Sequence, residues 1–163
     1  MKNSAGQMAL GGMMAALAIV IMCLGGLIPV ATYVCPMLCT VLLAFVLKFC
    51  GKRVAWAWYG AVSVLCLLLA PDREGAAVFL VLGYYPIVKL YLDGTKLQWL
   101  WKGLLFNSSA LALYGILIFF LGLEQIVSEF EELGTVMTVT ALVLGNVTFF
   151  LLDKVLNRIR SIS

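Results

Sequence analysis

Residues 3–47 read NSAGQMALGGMMAALAIVIMCLGGLIPVATYVCPMLCTVLLAFVL, and from Asn3 to Leu47 there is no Asp, Glu, Lys or Arg. A run of that length holds two helical crossings of a ~30 Å hydrocarbon core, each needing about 20 apolar residues. Further uncharged runs extend from Val54 to Pro71, from Gly103 to Leu123 and from Leu133 to Leu152. The whole chain is 64% hydrophobic and 12% charged, where a soluble domain carries about a quarter charged residues, so water cannot be its main solvent. A membrane β-barrel would alternate apolar and polar residues in ~10-residue segments. These runs are continuous, and the reading is an all-α integral membrane protein.

Gly, Pro and charge divide the chain into six apolar segments, Met8 to Ile28, Ala31 to Leu47, Val54 to Ala70, Ala76 to Leu92, Trp99 to Gly122 and Thr135 to Leu152. They predict a single membrane domain, a compact bundle of six transmembrane helices. The first segment is longer than the apolar core of a secretory signal, and it is read as a permanent span. Gly25, Gly26 and Pro29 mark the first break, with Pro36 soon after. The fourth segment is the weakest, because its charge-free core from Gly75 to Val88 is short. Lys89 must snorkel if it spans, and a re-entrant segment is the alternative.

Basic residues accumulate in cytoplasmic loops. With the amino terminus inside, the cytoplasmic side collects Lys2, Lys48, Lys52, Arg53, Lys89, Lys96, Lys102, Lys154, Arg158 and Arg160, leaving Arg73 outside. Both termini are then expected to be cytoplasmic. Asp93 and Asp153 fall inside, whereas Asp72, Glu74, Glu124, Glu129, Glu131 and Glu132 fall outside. From Glu124 to Leu133, the spacing of Ile126, Val127, Phe130 and Leu133 predicts an amphipathic turn or short helix on the outer face, a lid or an interfacial connector.

The chain has no His, P-loop, dinucleotide fingerprint or plausible catalytic triad, so an enzyme is not expected and no cofactor is implied. Cys35 and Cys39 share a helix face, but two thiols without a histidine make a poor metal site; the five cysteines read as packing residues. Polar groups inside apolar segments are costly and therefore informative. Ser63, Tyr84, Tyr85, Asn107, Ser108, Ser109 and Asn146 fall at similar depth, forming either a ligand-lined pocket or interhelical hydrogen bonds. Pro86 should release a backbone carbonyl near Leu82. In the first segment, Ala5, Ala9, Gly12 and Ala16 recur at i, i+4, i+7 and i+11, beside a Gly11–Ala15 pair. Such a face seats another helix, in this bundle or in a separate subunit.

The opening Met8-Ala-Leu-Gly-Gly-Met-Met-Ala-Ala-Leu-Ala18 after a short basic start, on a chain of this length and layout, resembles the substrate-binding S components of energy-coupling factor transporters. The resemblance covers most of the chain in layout and is specific only across the first helix. It implies capture of a vitamin or similar small nutrient near the outer face. It also implies a membrane-embedded T component docking on the small-residue face of Ala5, Ala9, Gly12 and Ala16, two cytoplasmic ATPase subunits, and a bacterial cell membrane. Nucleic acid is not among the expected partners. Tyr33, Asp72, Arg73, Glu74, Tyr84, Tyr85, Asn107 and Asn146 are the capture candidates, with aromatic rings to stack on a flat ligand and amide or charged groups to orient it. The stretch Gly83-Tyr-Tyr-Pro-Ile-Val-Lys89 matches no substrate motif of the riboflavin, thiamine, biotin or folate types. In length and span count alone the chain also resembles the rod-shape-determining membrane protein of bacterial wall synthesis, which would make it a scaffold without a ligand.

Overall fold

The computed structural model describes residues 4–26, 31–93, 97–119 and 124–161. Among them every regular element is helical: α1 (Ser4–Gly25), α2 (Ala31–Cys50), α3 (Lys52–Leu69), α4 (Arg73–Leu82), α5 (Tyr85–Leu92), α6 (Gln98–Phe119) and α7 (Glu124–Ser161). Four stretches of fully described residues are long and apolar enough to cross a membrane: Ala5–Gly25, Ala31–Cys50, Lys52–Leu69 and Arg73–Leu92. Lys2, Pro29, Lys96 and Gly122 lie outside the described residues.

Local chemistry sets the joints. Gly51 links α2 to α3 at φ 87°, a left-handed conformation that glycine adopts without a Cβ penalty. Extended Ala70 closes α3 immediately before Pro71. Asp72 then caps α4, its Oδ1 accepting from Gly75 N at 3.0 Å. Pro36 marks no boundary: it lies inside α2, and Thr40 Oγ1 donates to its carbonyl at 2.8 Å. Having no N–H, Pro36 leaves the Thr32 carbonyl without its helical donor. The first turn of α4 packs there so closely that a Cβ on Gly75 would sit 3.0 Å from Thr32 O.

The fourth segment is a broken helix. α4 stops at Gly83, α5 restarts at Tyr85 with Pro86 in its first turn, and Tyr84 O accepts from Ile87 N at 3.0 Å. Together they form one apolar stretch, most of it buried within the protein. The Ala76 to Leu92 segment, read from sequence as one helix with a carbonyl freed near Leu82 by Pro86, is thus two helices, and Pro86 sits in the first turn of α5, where no helical donor is required.

The separate amphipathic connector expected from Glu124 to Leu133 is corrected. α7 runs unbroken for 38 residues from Glu124 to Ser161, because no proline intervenes and Gly134 at the joint is tolerated in a helix at a cost of about 1 kcal/mol. The side chains of residues 124–138 lie outside the described set, including the proposed apolar face of Ile126, Val127, Phe130 and Leu133.

The core forms where α1, α2, α3 and α4 meet, around Ala18, Cys39, Leu43, Val62, Cys66 and Phe79. Small residues on α1 and α2 bring backbone within reach of side-chain donors: Trp58 Nε1 donates to Gly11 O at 3.0 Å and Cys39 Sγ to Ala18 O at 3.5 Å. A second cluster joins α4 to α6 through Ala77, Val78, Val81 and Leu113. A third, of Tyr85, Phe149 and Leu156, holds α5 against α7. Its rings pack edge to face, Tyr85 to Phe149 at 4.5 Å between centroids.

Candidate functional site

The basic residues of different helices gather at one end of the bundle. Lys48 near the end of α2 donates to Ile159 O of α7 at 2.9 Å. Lys52 at the start of α3 sits over the Tyr91 ring of α5, 4.9 Å from its centroid. Gln7 Nε2 donates to Phe49 O at 3.1 Å, bringing the start of α1 to the same end.

Four charges close this basic end. Lys89 on α5 and Lys102 on α6 are buried, at 3% and 5% exposure. Lys89 pairs with Asp153 of α7; Lys102 Nζ lies 2.7 Å from Asp93 Oδ1 and 3.3 Å from Asp153 Oδ2. Tyr85 OH donates to Asp153 Oδ1, and Asn157 Nδ2 to Asp153 Oδ2 at 3.5 Å. Two cations facing two anions cancel, which is the condition for tolerating charge away from water. Lys89, expected to snorkel towards the inner headgroups, pairs with Asp153 and lies 4.0 Å from Asp93 in this cluster. Sequence reasoning placed all four residues on one side but did not join them, although Lys89 and Asp93 are one helical turn apart.

About five residues further along α6, roughly 8 Å at 1.5 Å rise, Asn107 Nδ2 donates to Gly103 O at 2.8 Å and approaches Asn146 Oδ1 of α7 at 3.4 Å. These two amides are one pair of predicted capture residues that meet; Tyr33 and Glu74 are another, at 2.7 Å. Asn107 and Asn146 line a groove of about 590 Å³ between α6 and α7, walled by Leu100, Gly103, Leu104, Ser108, Leu111 and Phe150. It is open, with Leu104 64% and Leu111 77% exposed.

The remaining candidates do not join it. Tyr84 and Tyr85 are neighbours, but successive helical residues project about 100° apart. Tyr84 OH accordingly meets Ser109 Oγ on α6 at 3.0 Å, while Tyr85 serves the ion cluster. Ser63, placed by sequence in the same polar layer, is buried on α3, and its Oγ has no hydrogen-bond partner among the described residues. At the opposite end of the bundle, Tyr33 OH donates to Glu74 Oε1 at 2.7 Å, Asp72 caps α4, and Arg73 is exposed.

The two faces of α1 divide cleanly. Gly11, Ala18 and Met22 are buried against the bundle, whereas Ala5, Ala9, Gly12 and Ala16 are exposed, with nothing within 4 Å of a Cβ added at Gly12. The small-residue stripe is therefore on the outside of this chain. Comparison with protein-family models, with curated proteins and with solved structures finds no match. Among the described residues no group of three or more Cys, Asp or Glu side chains is placed to hold a metal ion.

Proposed function

We propose that this chain is the substrate-capture subunit of a membrane uptake system, taking a small vitamin-like nutrient from outside and releasing it inward with an ATP-driven partner complex. In this reading it crosses a bacterial cell membrane six times with both termini cytoplasmic, and the basic end described above faces the cytoplasm. The partners are a membrane-embedded T component and two cytoplasmic ATPase subunits. The supporting observation is the outward exposure of Ala5, Ala9, Gly12 and Ala16 on α1. In lipid, apolar side chains gain little by moving onto protein, so helix association depends on close backbone approach, which small residues permit. A stripe spent on internal packing would not support a partner; an exposed one does. Gly12→Leu with Ala16→Leu should abolish copurification of membrane partners and leave the melting temperature of the isolated chain unchanged. Retention of the partners, or a collapsed melt, would overturn the reading.

One observation favours the rival scaffold reading. The eight capture candidates do not form a single site: Asn107 and Asn146 meet on one groove, Tyr33 meets Glu74 at the opposite end of the bundle, and Tyr85 is engaged by Asp153. A scaffold would keep the α1 stripe and bind no nutrient.

A further inference from the structure

Between the end of α2, the α2–α3 joint, α5 and the last turns of α7 lies a second cavity, of about 230 Å³. Ala44, Leu47, Pro86, Leu90, Leu156 and Ile159 form its apolar walls, and Lys48, Lys52 and Lys89 also line it, the Lys89 ammonium being paired with Asp153 and that of Lys48 donating to Ile159 O at 2.9 Å. Among the described residues no acidic side chain lines it; the neighbouring carboxylates Asp93 and Asp153 are turned into the ion cluster with Lys89 and Lys102. Its chemistry is graded along the helix axes. Lys48 and Lys52 lie on either side of Gly51 at the helix ends, while Ala44 lies four residues deeper along α2 than Lys48, about 6 Å, and Pro86 lies six residues in from the end of α5, about 9 Å at 1.5 Å per residue. The mouth also receives the start of α3, whose N-cap Gly51 supplies no side-chain acceptor, adding the positive end of an 18-residue helix to the lysine field.

We infer that this cavity seats an anionic phospholipid, its phosphate at Lys48 and Lys52 and the first carbons of a chain against Ala44, Leu47 and Pro86. A phosphate anion satisfies the mouth, but only an amphiphile also covers the apolar floor without filling it with water. Basic pockets between membrane helices are the sites at which anionic headgroups collect. The assignment needs the bundle to lie in a bilayer and is independent of nutrient capture.

The test uses the full chain in detergent, with no partner or nutrient, so its failure leaves the capture reading standing. Melting temperature is followed against phosphatidylglycerol, phosphatidylcholine with the same chains, and inorganic phosphate. Only phosphatidylglycerol should produce a saturable rise. Lys48→Gln with Lys52→Gln should weaken its apparent affinity about 25-fold, at roughly fivefold per lysine near an anionic headgroup. Lys154→Gln with Arg158→Gln, which removes two exposed charges of α7 from outside the cavity, should change it less than about twofold. Should the first pair fail to fold, Lys52→Gln alone decides, with about fivefold weakening expected. Equal weakening by both pairs would reduce the effect to general surface attraction. An equal response to phosphatidylcholine, or a response to inorganic phosphate alone, would also overturn the assignment.

Discussion

α6 and α7 share two polar clusters, built about two helical turns apart and with opposite accessibility. Near the basic end, Lys102 and Asp153 join Lys89, Asp93 and Tyr85, and both lysines are almost fully buried. Deeper along the same helices, Asn107 and Asn146 meet on the wall of an open groove. A full charge can be stranded at far greater cost than an amide, so the ion cluster is enclosed and neutralised by the protein itself. The amides carry no net charge and tolerate an open wall, which leaves hydrogen-bonding capacity at a surface where a ligand or a partner helix can reach it. Burial thus separates a structural lock from a candidate site where polarity alone does not.

The lock should respond most strongly to substitution. Asp153→Ala leaves Lys89 and Lys102 to share the single carboxylate of Asp93, at 4.0 and 2.7 Å, and should cost about 3–5 kcal/mol, read as a large fall in melting temperature in detergent. Lys89→Met combined with Asp153→Leu should recover most of that loss, since the Lys102–Asp93 pair at 2.7 Å remains. If the single variant melts within about 1 kcal/mol of the parent, the cluster is solvated and the contrast disappears.

Next in size is the joint between α2 and α4. Gly75→Val must place atoms 2.8 Å from Asp72 Oδ2 and 3.0 Å from Thr32 O, and overpacking of this kind costs about 1–3 kcal/mol. Denaturation monitored by helical circular dichroism would measure it. An unchanged transition would mean that α4 does not pack against the carbonyl freed by Pro36.

The groove should be much less sensitive. Asn107→Leu should cost about 0.6 kcal/mol or less in stability, the average for a hydrogen bond between membrane helices. A loss comparable to Asp153→Ala would make the amide pair a second lock. An effect of the opposite sign is expected at Ser63, whose buried hydroxyl has no hydrogen-bond partner among the described residues. Ser63→Ala removes an unsatisfied group and should leave stability unchanged or raise it by up to about 1 kcal/mol, measurable in the same melts.

Long-range features of composition were legible in advance, whereas those that depend on side-chain direction were not. Uncharged runs located α1, α2, α3 and α6 to within a few residues, because apolar length is itself the condition for spanning lipid. Pro86 pointed to a freed carbonyl near Leu82 through its missing N–H, while the Ala76 to Leu92 segment still read as one helix rather than as α4 and α5. Depth counting brought Tyr84 to Ser109, its neighbour in the expected polar layer, but not Tyr85, whose hydroxyl turns to Asp153, since equal depth on a helix says nothing about azimuth. It succeeded for Asn107 and Asn146 because α6 and α7 turn those faces towards each other. Lys89 read as a snorkelling residue because its partner Asp153 is remote in sequence, where no local spacing reports it. The small residues of α1 gave a stripe, but only the packing of Gly11, Ala18 and Met22 fixed which side faces outward.

Capture of a small molecule is the central claim, and ligand-dependent stabilisation tests it most directly. The purified chain and its Asn107→Leu, Asn146→Leu variant should be melted against a panel of vitamins, with mass spectrometry of a denatured extract to detect any compound carried through purification. One compound is expected to raise the melting temperature of the parent, by the equivalent of about 2.7 kcal/mol at a hundredfold excess over its Kd, with a much smaller rise in the variant. No stabilisation by any compound together with an empty extract, from a protein that still holds its membrane partners through α1, would contradict capture and leave a scaffold.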